Sequence, residues 1–225
     1  MKFVGTAAVL SALVASAAAH GVVTSPLPRQ PGPAALAACG TEAYGVLTKD
    51  LTAPIEEVVA AAANATDFNA DACHAFLCRG LQREDNLNNT HVFTPGSTVP
   101  FNVTIKVRHT GPANVSIVDL KEQRVIGPAL FSWPVYANAS IPAADAPLNE
   151  SQSLLYIPLD RKTNVSLTTG RRSPTAQFSV KIPHELPLKC ALPGECAIQW
   201  WWLGNPGTAN AQTYESCVDF TTVRF

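Results

Sequence analysis

In Pro100-Phe101-Asn102-Val103-Thr104-Ile105-Lys106-Val107, apolar and polar side chains alternate from Phe101 onward, the two-residue period of a strand with one face in a core. Phe101, Val103, Ile105 and Val107 share that face. Residues 114–120, 154–159, 177–182, 197–202 and 214–223 are also rich in β-branched and aromatic residues and read as further strands. Turn signals punctuate them: Thr94-Pro95-Gly96-Ser97, Thr110-Gly111-Pro112 and Gly204-Asn205-Pro206-Gly207. Short strands punctuated in this way predict an all-β chain, an antiparallel immunoglobulin-like or fibronectin-like β-sandwich.

The stretch 31–89 departs from that pattern. Its alanine-rich 55–63 and its short 72–78 favour helix over strand, so it reads as a long, partly helical loop insertion after the first strand. No repeat and no Ser/Thr/Pro-rich linker divides residues 20–225, which are expected to form a single domain with no second module after Val223.

Residues 1–19 have the build of a secretory leader: Lys2, an apolar run over 4–14, and small residues at Ala17 and Ala19. Cleavage after Ala19 makes His20 the first residue of a secreted mature chain. No later apolar run reaches the ~18 residues of a spanning helix. Acceptor sequons at Asn64, Asn88, Asn102, Asn114, Asn138, Asn149 and Asn164 fit the same route, and so do six cysteines, which predict three disulfides. Fifteen pairings are formally open to six cysteines. Proximity favours Cys73–Cys78 and Cys190–Cys196 as local staples, leaving Cys39–Cys217 to cross the domain. With 16 Lys and Arg against 17 Asp and Glu there is no basic excess, which disfavours nucleic acid and anionic lipid as partners.

An N-terminal histidine offers a free α-amine and an imidazole from one residue, and both can chelate one metal. A second imidazole folded against them puts three nitrogens in a plane, which suits Cu(II) better than zinc. His109 follows the alternating strand directly and opens the turn Thr110-Gly111-Pro112, an edge from which a side chain can point toward a site. Gln212 and Tyr214 open the last strand and fall on one face of it.

These residues carry a resemblance. His20-Gly21-x-Val23-x-Ser25-Pro26-x-x-Arg29 is similar to the mature start of lytic polysaccharide monooxygenases of the chitin-binding and bacterial type, and Gln212-x-Tyr214-x-x-Cys217 resembles the end of the fungal cellulose-active type. Pro31-Gly32-Pro33, Cys39-Gly40, Arg108-His109-Thr110-Gly111, Gln199-Trp200-Trp201-Trp202 and Tyr214-Glu215-Ser216-Cys217-Val218-Asp219-Phe220 together look most like auxiliary activity family 16. The resemblance implies one copper ion held by His20, through its amine and ring, and by His109, with Tyr214 at the axial position. It implies Gln212 as the amide that positions an oxygen species on the metal. It also implies an external electron donor or redox partner and oxidative cleavage, at C1 before C4, of an insoluble polysaccharide. Cellulose is favoured over chitin, and the protein is expected to act as a monomer.

Other readings compete. A secreted copper carrier with the same two histidines would not cleave sugar, and a noncatalytic carbohydrate-binding sandwich would make the histidines coincidental. His74 between Cys73 and Cys78 suggests a thiolate metal site, but an oxidising compartment favours disulfides. His91 and His184 have no partner at a telling spacing. Trp200 and Trp202 point one way on a strand and Trp201 the other, so core packing is the expectation rather than sugar stacking. Tyr44 is a candidate for the substrate surface only through the resemblance. Glu56-Glu57 and Glu84-Asp85 are adjacent rather than placed across a scissile bond, which disfavours a glycoside hydrolase. There is no Gly-x-Ser-x-Gly elbow, phosphate-cradling loop or dinucleotide fingerprint.

Overall fold

Phe101, Val103 and Ile105 are buried, and Val107 emerges to 37% exposure where their strand runs out of the core. This strand, β3 (Thr98–Val107), is the middle of a three-stranded sheet, flanked by β1 (His20–Ser25) and β6 (Thr175–Lys181). The computed structural model describes residues 20–140 and 175–223. The leader, the strand expected at 154–159 and the sequons Asn149 and Asn164 lie outside the described residues.

A second sheet has five strands in the order β2-β8-β7-β4-β5. They are β2 (His91–Phe93), β4 (Gly111–Asp119), β5 (Arg124–Tyr136), β7 (Cys196–Gly204) and β8 (Gln212–Thr222). Side chains from both sheets make one core, with Val103, Ile105, Val115, Ile117, Trp200 and Trp202 among its members. Truncating either tryptophan to Ala costs about 3–5 kcal/mol. The expected core role of these rings is therefore met, and Trp201 is the half-buried one. Two sheets around a shared core are compatible with the expected sandwich. One pairing departs from it: three-residue β2 runs parallel to β8.

The segment between β1 and β2 is the expected insertion. It holds α1 (Pro33–Lys49), α2 (Ile55–Ala62), α3 (Ala70–Cys73) and two 3₁₀ turns, and has its own apolar cluster around Leu47, Ile55 and Val58. Pro33 starts α1 at a position whose N–H is not needed, and the Asp85 carboxylate accepts from Ala34 N and Ala35 N, both at 2.9 Å. Gly40 breaks the helix at φ 77, a conformation that favours glycine, and a Cβ there would lie 2.6 Å from Asp67 Oδ1. Asp67 Oδ2 accepts from Thr41 N at 2.8 Å and so caps the second half.

Helix at 72–78 was the expectation, but α3 ends at Cys73 and His74 turns the chain at φ 49. That turn also overturns two expected disulfides. Cys73 bonds Cys39 of α1, and Cys78, carried the other way, bonds Cys217 of β8. The pairs Cys73–Cys78 and Cys39–Cys217 do not form, because five residues of proximity are undone by a reversal of direction between them. Cys190–Cys196 forms as expected. No helix among the described residues is long and apolar enough to cross a membrane.

Candidate metal centre

Pairing of β1 with β3 sets His20 opposite Val107. His109 lies two residues beyond Val107, so the antiparallel ladder carries both histidines to the same end of the three-stranded sheet. The facing sheet ends there too. Trp202 pairs with Tyr214 and Gly204 with Gln212, and neighbours in register share a face. A Cβ built on Gly204 would lie 2.7 Å from His109 Cβ, so the histidine rests on bare backbone at that position. A Cβ on Gly21 would touch Ile105, Trp200 and Trp202 at 3.1 Å, which brings the start of β1 down onto the same aromatic pair. His20, His109, Gln212 and Tyr214 are thus gathered at one end by four strand termini.

Tyr214 is fully buried, and its ring stacks on Trp202 with centroids 4.5 Å apart. Its hydroxyl donates to Gln212 Oε1 at 2.9 Å. Burial raises the phenol well above its ordinary value, Glu56 and Glu57 push it further, and Arg79 opposes them. Tyr214 is therefore a neutral phenol, which makes it a weak donor to any metal held here. Glu56 stands close because its Oε2 accepts from Thr213 N at 2.8 Å and so fastens the start of α2 to the start of β8.

The loop after α1 forms a wall beside His20. Asp50 Oδ2 lies 3.4 Å from His20 Nε2. Asp50 Oδ1 accepts from Thr52 N at 2.8 Å and from its hydroxyl at 2.5 Å, and Lys106 Nζ reaches both carboxylate oxygens at 3.1 Å. Burial raises the Asp50 carboxyl, but the bonds from Thr52 and Lys106 outweigh it and hold the group below its ordinary value. Behind the loop, buried Arg79 donates from Nη2 to Asp50 O at 2.9 Å and from Nη1 to Leu51 O at 2.6 Å. Burial lowers its guanidinium to about 10, which leaves it charged at neutral pH. Its backbone N–H meets Glu215 Oε2 at 3.3 Å, and burial pushes that carboxyl up to about 8.

The donor set fits copper. Only Nδ1 of an imidazole can close a small chelate ring with its own residue's α-nitrogen, and it is Nε2 of His20 that faces Asp50. Metal-bound histidines commonly engage a carboxylate through the other ring nitrogen in this way. No three His, Cys, Asp or Glu side chains converge as a metal cluster among the described residues. The expected centre has only two such side chains, since its third nitrogen is the terminal amine that cleavage after Ala19 would release.

The remaining candidates are engaged elsewhere. His74 Nε2 meets Gln123 Nε2 at 3.1 Å, and both cysteines beside it are in disulfides. His91 stacks on Phe93, and the His184 ring fills the space beside Gly96. Tyr44 is half-buried on α1. Asp50 and Arg79 were not singled out in the sequence, whereas Glu56 entered only as half of an adjacent carboxylate pair, Gly204 only as part of a turn and Glu215 only within the resemblance. Asp50-Leu51-Thr52 carries a turn signal, which marks a loop but does not say that the loop lies against His20.

Comparison with protein-family models and with curated proteins returns no match. Among solved structures, a chitin binding domain from Burkholderia pseudomallei is similar to this chain at 12% identity and a TM-score of 0.36, covering 91% of this chain and 100% of that one.

Proposed function

We propose that the mature chain, beginning at His20, is a secreted copper-dependent monooxygenase that cleaves a crystalline β-1,4-linked polysaccharide. Cellulose comes before chitin and C1 before C4, and an external donor supplies the electrons. The observation that carries this reading is the β1–β3 register, which sets His20 across from Val107, two residues short of His109, at the end where Gln212 and Tyr214 open β8. The full immunoglobulin-like or fibronectin-like sandwich and action as a monomer belong to the same proposal.

Copper, when bound, supplies one-electron chemistry that activates peroxide or dioxygen to hydroxylate a carbon beside the glycosidic bond, after which the bond breaks. His20 would hold the ion through its α-nitrogen and Nδ1 and His109 through a ring nitrogen, with Tyr214 beside them as a protonated phenol. The Gln212 carbonyl is taken by the Tyr214 hydroxyl, which orients the amide so that its N–H bonds lie at the other end, able to donate to an oxygen substrate.

Mass spectrometry of products from copper-loaded mature protein, a reductant and either cellulose or chitin tests the reading. Oxidised oligosaccharides are expected, and their masses report substrate and C1 or C4 attack. Stoichiometric copper with no product from either polymer would make the protein a carrier. Failure to bind copper would leave a sugar-binding sandwich.

A further inference from the structure

Asp50 holds the C-terminal end of α1, where its N–H bonds Val46 O at 3.2 Å, and its carboxylate turns back toward β1. Thr52 and Lys106 fix that carboxylate from two sides, and the Arg79 guanidinium fixes the backbone carrying it. Thr52 O in turn accepts from Gly21 N at 3.0 Å, so the loop is tied to the residue next to His20. A carboxylate secured in this way is a rigid acceptor, and what it faces is His20 Nε2 at 3.4 Å.

We propose that Asp50 is the positioning residue of the His20 ring: it accepts from Nε2–H, selects that tautomer, and leaves the Nδ1 lone pair turned toward the chain's own α-nitrogen. This deepens the copper reading and rests on it for its purpose, but the tautomer itself does not depend on metal. Asp50 touches no reacting atom and acts only through His20. A rotating imidazole would present Nδ1 part of the time, and a carboxylate partner also raises the basicity of the ligating nitrogen. Outer partners of this kind change metal affinity by about 10–100-fold. The insertion then has a part in the site, because it brings the carboxylate to a histidine thirty residues earlier in the chain.

The test is ¹⁵N NMR of the His20 ring in metal-free mature protein at pH ~8, above the ordinary imidazole range, followed by copper titration calorimetry. Wild type is expected to show the Nε2–H tautomer, and Asp50→Ala, which removes the acceptor, a mixture of tautomers with copper affinity about 10–100-fold weaker. A wild-type ring protonated at Nδ1 overturns the proposal without any variant, and so does an unchanged tautomer in Asp50→Ala. Unchanged affinity in the variant, beside tight binding by wild type, also overturns it. If wild type shows the Nε2–H tautomer and binds no copper, the copper reading falls and the positioning role stands.

Discussion

The Tyr214 hydroxyl donates to Oε1 of Gln212, two residues earlier on the same strand, at 2.9 Å. One bond therefore sets the direction of the amide and restrains the phenol. Gln212→Glu replaces the amide N–H donors with an acceptor. It is expected to leave copper bound one to one and to lower turnover by at least about tenfold, equivalent to roughly 1.4 kcal/mol in the barrier. Calorimetry paired with product quantification checks it, and equal turnover would remove Gln212 from the chemistry.

His109 stands on the bare backbone of Gly204, where a Cβ would come to 2.7 Å from His109 Cβ. The clash is with the root of the histidine side chain, so no rotamer change relieves it. Gly204→Ala should displace the ring and weaken copper binding by roughly tenfold or more while the fold survives, and His109→Ala should abolish tight binding. Retained affinity in both would mean that His109 is not the second ring.

Cys78–Cys217 joins residues 139 apart, and Cys190–Cys196 joins residues 6 apart. By the loop-entropy estimate the first contributes about 5 kcal/mol and the second about 2. Removing the long link is expected to lower the denaturant midpoint far more than removing the short one. It should also loosen β8, so copper affinity should fall in that variant alone.

Asp119 is buried and paired with Lys189. Burial alone would raise its pKa, but the N–H of Glu122, the Lys189 ammonium and the N–H of Lys121 hold it below the ordinary value. A carboxyl depressed in the folded state contributes stability above its unfolded value, ~3.9, and that contribution is lost as pH falls through the folded value. Melting temperature should therefore fall steeply below about pH 4, and Asp119→Asn should melt lower at neutral pH with a shallower acid slope. Parallel acid slopes would contradict the assignment.

Alternation over one buried face made β3 readable in the sequence, and β-branched and aromatic enrichment made β4, β6, β7 and β8 readable. β5 was not readable: Gly127, Pro128 and Pro134 interrupt it, and as an edge strand it keeps most side chains exposed. The helical insertion was legible from its alanines, but α1 was hidden by Gly40, which needs the distant Asp67 as a cap. Both histidines were visible as candidates from position and resemblance, whereas the register that brings them together is a property of the sheet. Asp50, Arg79 and Glu215 are far apart in sequence, and only folding the insertion against β8 joins them.

The ladder that begins at His20 needs that residue's place in β1, not its free amine. A recombinant chain with a leftover methionine or an affinity tag ahead of His20 would therefore fold, oxidise and melt like the authentic one while lacking the terminal amine that the proposed copper site requires. Yield, monodispersity and thermal midpoint are blind to that difference. Any preparation used for assay has to be certified by the mass of its first peptide.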